Sequence, residues 1–237
     1  MLKALASYYR KNGILSTSFT CSYRRQCKGD CTEFIGPKSA FVSMGYVSNS
    51  LPRLLFLSLD PGRGDRKNIN RLPMAVRKQE ENRNVLILPQ QKHWYRTHEM
   101  AWYILQPYHP GLILQDTKRY FAHTNSAKCC MNKINGKKAN SILFKNCKEY
   151  LQGELSILDP DIIVSQGKEA KEAVSSLIVK RIDEYAALIQ LNGRKRFWLH
   201  TFHPGNYGAF NRQRDFDKTH EIARGWVKYS QLMKKYV

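Results

Sequence analysis

The sequence predicts an α/β domain built on a largely parallel sheet. Short apolar runs that stop at turn residues alternate along the chain with segments of helical periodicity, and that alternation carries the prediction. A second observation is that the runs are apolar almost throughout, as strands covered on both faces must be. The third is length: 237 residues with 42% apolar content suffice for one sizeable core, with no repeat, low-complexity tract or Pro/Ser-rich linker to divide it. One domain over residues 1–237 is expected, preceded within it by a basic, cysteine-bearing arm at 1–35.

Residues 53–59 (RLLFLSL) read as a buried strand stopped at Asp60-Pro61-Gly62. Residues 63–84 are polar and basic and read as loop. Residues 93–106 read as a helix, with Trp94, Met100, Ala101, Ile104 and Leu105 near helical spacing. A second strand is expected at 119–124 (RYFAHT), ending at Asn125, and an amphipathic helix at 140–158. Residues 161–165 (DIIVS) form a third strand, after which Gly167 opens a helix through Val174 and Leu177. Asn192-Gly193 is a hairpin turn between strands at 187–190 and 196–202. Residues 215–237 close the chain as an amphipathic helix.

In such sheets ligands bind beyond the carboxyl ends of the strands. Asp60-Pro61-Gly62, Asn125, Gln166-Gly167 and His203-Pro204-Gly205 all occupy that position. An Asp, an Asn and a His converging there make a hydrolytic set. Each alone has an ordinary use, Asp60 as a turn residue, His203 as a packed imidazole and Asn125 as a loop cap. Their shared place at one cleft edge favours chemistry.

Lys and Arg total 39 against 19 Asp and Glu, a formal charge of +20. Solubility needs far less, so a polyanionic partner, DNA or RNA, is implied. The apolar runs are too short to cross a bilayer and the N-terminus lacks a secretory pattern, so a cytoplasmic protein is expected, without a membrane partner. In that compartment the six cysteines read as metal ligands or buried thiols rather than disulfides. Thiolate sites suit an iron–sulfur cluster or zinc about equally.

Several motifs together resemble the uracil-DNA glycosylase superfamily. Ser58-Leu59-Asp60-Pro61-Gly62 is similar to its first motif, G-Q-D-P-Y in one branch and G-E-A-P-G in the iron–sulfur branch. Thr124-Asn125-Ser126-Ala127-Lys128-Cys129 resembles the T-N-x-x-K-C of the second branch. Cys147, Tyr150-Leu151 and Leu158-Asp159-Pro160-Asp161-Ile162-Ile163-Val164 follow its C-x-x-x-L…L-x-P-x-x-I-V stretch. Gln166-Gly167-Lys168-Glu169-Ala170 is similar to its L-G-x-x-A, and Phe202-His203-Pro204 to its final H-P-S. The matches fall in order over residues 21–235, and the order makes them specific where no single motif is.

The resemblance implies a monomeric three-layer α/β/α sandwich with a four-stranded, mainly parallel sheet, hydrolysing the N-glycosidic bond of a base flipped out of DNA. Asp60 would orient water and stabilise an oxocarbenium-like sugar. His203 would donate to the base oxygen where charge develops, and Asn125 would read the pyrimidine edge. Pro61, Gly62, Gln166 and Gly167 would line the base site, with Pro61 and Gly62 letting backbone approach the nucleotide. DNA would be gripped by Arg63, Arg66, Lys67 and Arg71, and by Arg194, Lys195, Arg212 and Arg214. The iron–sulfur branch implies a structural 4Fe-4S cluster on Cys27, Cys31, Cys129 and Cys147, with Cys21 competing for an N-terminal place because Cys27 and Cys31 stand one residue further apart than the branch's pair.

Departures from the pattern bear on the substrate. Asp60 sits one residue later than the Glu of G-E-A-P-G, and Gly205 stands where the Ser of H-P-S does. Gly62 replaces the Tyr that screens out bulkier pyrimidines, and the P-F-x-G stretch with its stacking aromatic is absent. These favour a C5-modified cytosine of phage DNA, removed in antiviral defence, over uracil removed in repair. Other classes are a nucleic-acid-binding module without catalysis, against which Asp60 and His203 argue, and a zinc-stabilised RNA-binding protein.

Overall fold

In a computed structural model, residues 1–15, 19–29, 34–61, 71–131, 141–215 and 225–237 are described. In chain order these give α1 (Leu2–Lys11), α2 (Arg24–Lys28), β1 (Phe34–Ile35), β2 (Phe41–Val42), α3 (Met44–Ser48), β3 (Leu54–Ser58), α4 (Pro73–Glu81) and α5 (His93–Leu105). A 3-10 turn (Leu114–Arg119) leads to β4 (Phe121–Asn125), β5 (Cys130–Met131), α6 (Ser141–Leu158), β6 (Ile162–Gln166) and α7 (Lys168–Ser175). The remainder is β7 (Ile178–Arg181), β8 (Ala186–Leu191), β9 (Arg194–Thr201), α8 (Tyr207–Asp215) and α9 (Gly225–Met233).

The main sheet has seven strands in the order β2-β4-β3-β6-β9-β8-β7. Its centre, β4-β3-β6-β9, is parallel throughout. That centre is the four-stranded sheet the sequence implies. The count rises to seven because β2 adds antiparallel at one edge, and β8 and β7 add antiparallel at the other. β8 and β9 are joined through Asn192 (φ 50°) and Gly193 (φ 73°), the left-handed pair a tight hairpin requires.

Every residue of β3 and of β6 is buried, because helices cover both faces. Leu55 and Leu57 point to a core shared with Leu5 and Tyr9 of α1, Leu151 and Leu155 of α6, and Val174 of α7. Leu54 and Phe56 point the other way, to Met100 and Ile104 of α5, Phe210 of α8 and Trp226 of α9. The alternation of period two along one strand thus builds both outer layers.

Three expectations change. Residues 73–81, expected as loop, form α4: Pro73 sits in its first turn, Val76 is buried, and the Arg77 guanidinium donates to the Val42 carbonyl at 2.6 Å. The N-terminal segment is more than an arm. α1 packs on α6, with the Tyr8 hydroxyl donating to the Tyr150 carbonyl at 3.0 Å and Tyr9 donating to the buried Glu154 carboxylate. That carboxylate also holds Lys128 and, at 2.9 Å, Thr124, tying α1, β4 and α6 together. At the other end, helix α8 precedes residues 216–224, which lie outside the described residues, so the single closing helix expected at 215–237 is described only as α9.

Candidate active site

The four parallel strands end level. Ser58 pairs with Asn125 across β3 and β4, and Gln166 with Thr201 across β6 and β9. Backbone bonds continue past the ends: Ser126 N–H donates to Ser58 at 2.8 Å, Ala127 to Leu59 at 2.9 Å, and Gly167 to Thr201 at 2.9 Å. These bonds bring the turns after each strand into one wall. Gly167 has φ 100°, and a Cβ there would stand 3.1 Å from Leu59 and 3.2 Å from the His203 Cβ, so glycine is needed for both conformation and space.

Above this wall opens a cavity of about 540 Å3. Asp60, Pro61, Asn125 and His203, expected at one cleft edge, all line it. Gly62 lies outside the described residues. Gln166 does not line the cavity; it is fully buried behind Ser58, and Gly167 shapes the wall rather than the cavity surface.

Two imidazoles escaped the sequence reasoning. His93 opens α5 and His123 lies in β4, and both line the cavity. The Ser58 hydroxyl joins them, 3.1 Å from His93 Nε2 and 2.9 Å from His123 Nε2, while donating to Gln166 Oε1 at 2.7 Å. His123 could have been found, since it precedes Asn125 by two residues and so shares its face of the strand. His93 has no comparable local signal. Aromatic surface comes from Phe41 and Trp94, the latter 4.9 Å from the His123 ring, where the sequence lacks the expected stacking motif.

The electrostatics favour the neutral form of these rings. Burial, with the nearby His203 next, drives His93 down from 6.5 to about 3. Burial also holds His123 well below its ordinary value, with His93 and the cations Lys38 and Lys128 adding to it. His203 is lowered by burial, against the opposing pull of Asp60 and Glu169. Its ring lies 5.1 Å from that of His93, and its Nδ1 accepts the Gly205 N–H at 3.0 Å. A neutral His203 therefore carries its proton on Nε2, as a hydrogen-bond donor. At the far side the cavity is charged: buried Glu80 lies 2.8 Å from Arg83 and 3.7 Å from Lys38, with Lys92 beside them.

The residues expected to grip DNA divide. Arg212 is exposed on α8, the helix that follows His203-Pro204-Gly205, and its guanidinium folds back over Gly208. Arg214, on the same helix, is paired with Asp215 at 2.8 Å and Glu99 at 3.5 Å. Arg194 and Lys195 are not brought to the cleft: they start β9, at the opposite end of the sheet, where Arg194 is ion-paired to Asp159. Arg71 is buried and donates to the Gly36 carbonyl at 2.6 Å, so it does not present its charge to DNA. Arg63, Arg66 and Lys67 lie outside the described residues.

Of the expected cluster ligands, Cys27, Cys129 and Cys147 are buried free thiols, and Cys27 and Cys129 pack with Ala127 and Leu143 in one apolar pocket. Asn146 donates to Cys27 Sγ at 3.4 Å and Lys128 N–H to Cys147 Sγ at 3.3 Å. Burial raises all three thiols, Cys147 to about 11; the Cys21 charge adds to each, and the Cys27 charge adds to Cys129 and Cys147. The donor chemistry suits a thiolate-bound group, and N–H···S contacts are what such ligands use. Among the described residues, however, no three His, Cys, Asp or Glu side chains stand close enough to hold a metal ion, and Cys31 lies outside them.

Among the described residues no helix is long and apolar enough to cross a membrane. No curated protein sequence matches the chain. The family model of the uracil DNA glycosylase superfamily matches residues 44–224, which takes in Asp60, Asn125 and His203 of the cleft but not Lys38, Ser39 and Phe41. The chain therefore belongs to the uracil-DNA glycosylase superfamily, whose members are DNA glycosylases.

Proposed function

We propose that the protein hydrolyses the N-glycosidic bond of a flipped, C5-modified pyrimidine in DNA and leaves an abasic site. The observation that carries this reading is the Nε2-protonated, neutral His203 sharing one cleft with Asp60 and Asn125. As the bond breaks, positive charge grows on the sugar and negative charge on the departing base. Asp60 stabilises the sugar and orients the attacking water. His203 gives a hydrogen bond from Nε2 to the base oxygen without surrendering a full charge to the cleft. Asn125, with a donor and an acceptor, holds the base edge, and Trp94 or Phe41 offers it an aromatic face.

The preference for a modified base rests on space and polarity. A cavity of about 540 Å3 exceeds what a bare pyrimidine ring fills, and its far side carries Lys38, Ser39, Glu80, Arg83 and Lys92. Carboxylate and cationic groups side by side suit a hydroxylated substituent, such as a hydroxymethyl group or a sugar. Cytosines of that kind occur in phage DNA, and their removal would serve antiviral defence. Uracil excision is the second reading, favoured by the family alone.

A 4Fe-4S cluster on Cys27, Cys31, Cys129 and Cys147, with Cys21 competing for either N-terminal place, belongs to the same reading; the donor chemistry of the buried thiols supports it, and their spacing among the described residues does not. When bound, such a cluster would link the N-terminal segment to β4 and α6, and it supplies no chemistry to excision. The purified protein tests the function directly on DNA duplexes and single strands carrying uracil or C5-modified cytosines, scored for abasic sites. Release of a modified cytosine faster than uracil is the expected result. Efficient uracil release with every modified cytosine ignored makes this a repair enzyme instead.

A further inference from the structure

The hydrogens around Ser58 can be assigned one by one. Thr97 has two acceptors in reach, the His93 carbonyl at 3.0 Å and Gln166 Oε1 at 3.5 Å; the shorter bond takes its hydroxyl hydrogen, so toward Gln166 it accepts. The Gln166 atom facing it at 3.2 Å is therefore Nε2, and the atom facing Ser58 is Oε1, which only accepts. Ser58 must spend its single hydrogen there, at 2.7 Å. Its two lone pairs then face His93 Nε2 and His123 Nε2, so both nitrogens must be the protonated ones.

Both rings are only half-buried, line the cavity, and turn their Nε2 edge to Ser58. The nitrogen left for a ligand in each is Nδ1, an unprotonated acceptor. Burial lowers both rings, which favours the uncharged form in which Nδ1 accepts.

We propose that Ser58 is a specificity-positioning residue that locks His93 and His123 as paired acceptors, and that this pair selects a base bearing an exocyclic amine over its oxo counterpart. An amino group at C4 of a pyrimidine meets lone pairs it can donate to. A carbonyl at the same place meets lone pairs of its own sign, and a site built for a donor rejects the analogue that lacks it. The inference rests on the excision reading, and it deepens that reading by naming cytosine-type bases as the class and by naming the device that reads them.

The experiment compares two DNAs identical except for one base, 5-hydroxymethylcytosine or 5-hydroxymethyluracil, under single-turnover conditions. Wild type is expected to favour the cytosine form by about tenfold or more. Ser58→Ala removes the acceptor the two rings share, leaving His123 to move its proton to Nδ1 and His93 with only its bond to Gln166, and the ratio is expected to fall toward one while excision persists. A nitrogen-15 imidazole spectrum of the unmodified protein reads the tautomers independently of activity, with Nε2–H signatures expected for both rings. A wild-type ratio at or below one, an unchanged ratio in Ser58→Ala, or Nδ1–H signatures would each overturn the proposal. Expected tautomers with neither base released would instead overturn the excision reading and leave the hydrogen assignment standing.

Discussion

The two ends of the parallel sheet put their aspartates to opposite purpose. At the amino end, Asp159 takes Arg194, Arg196 and, at 3.6 Å, Arg53, while Asp161 takes Arg196 and the Arg53 N–H at 2.9 Å. Burial pushes the Asp159 carboxyl up, but the Asn192 hydrogen bond and the arginines outweigh it and hold the group below its usual range. Charge there is satisfied within the protein. At the carboxyl end, Asp60, Asn125 and three imidazoles line an open cavity, each imidazole with a nitrogen committed to the protein and another left over. Position on the sheet, more than residue type, separates Asp159, which holds the fold, from Asp60, which faces the cavity.

The contrast predicts a separation of effects. His203→Ala should lower excision by about a hundredfold or more, as removal of a group stabilising developing charge does, with the thermal midpoint little changed. Arg196→Met should do the reverse. It strips a buried partner from two aspartates and should cost about 3 kcal/mol of stability in a denaturant melt, with excision per folded molecule preserved. Equal activity losses in both variants would erase the distinction between the two ends.

Acid should weaken the fold before it alters these roles. Burial lowers His98 and His200 each from 6.5 to about 4. Unfolded imidazoles take up protons as pH drops through 6.5, whereas these folded ones do so only near 4, so protons favour the unfolded chain in that window. Stability should be full above pH 6.5 and fall between there and pH 4 by up to about 1.4 kcal/mol per unit for each ring. Denaturant midpoints that stay flat across the window would contradict the burial of these rings.

The smallest effect concerns DNA affinity. Arg212→Glu on the exposed face of α8 should weaken binding to many sequences alike and reduce the salt slope by about one to two. Arg194→Glu, at the far end of the sheet, should leave both unchanged. A larger loss from Arg194→Glu would move the DNA to the amino end.

Much of this was legible in the sequence because the informative features are local. β3 and β6 are continuous apolar runs, and Asp60, Asn125 and His203 follow strand ends that turn residues mark. The missed elements lack such marks. β2 is two residues long, β7 is IVKR with mostly exposed side chains, and α4 buries Val76 amid charged neighbours. The Ser58 network was illegible for a different reason: its partners lie 35, 65 and 108 residues away, and it takes the register of β3, β4 and β6 and the packing of α5 over them to bring them together. Likewise Arg194 and Lys195 sit in a basic stretch that says nothing of which sheet end it occupies.

The central claim is that bond cleavage happens at the carboxyl end of the sheet with Asp60 at its heart. The most direct measurement follows abasic-site formation by Asp60→Asn in a single turnover, on whichever base wild type releases, with DNA affinity measured in parallel. Excision should fall by about two orders of magnitude or more while affinity stays close to wild type, since phosphate contacts dominate binding. Excision at the wild-type rate would place the chemistry elsewhere in the molecule.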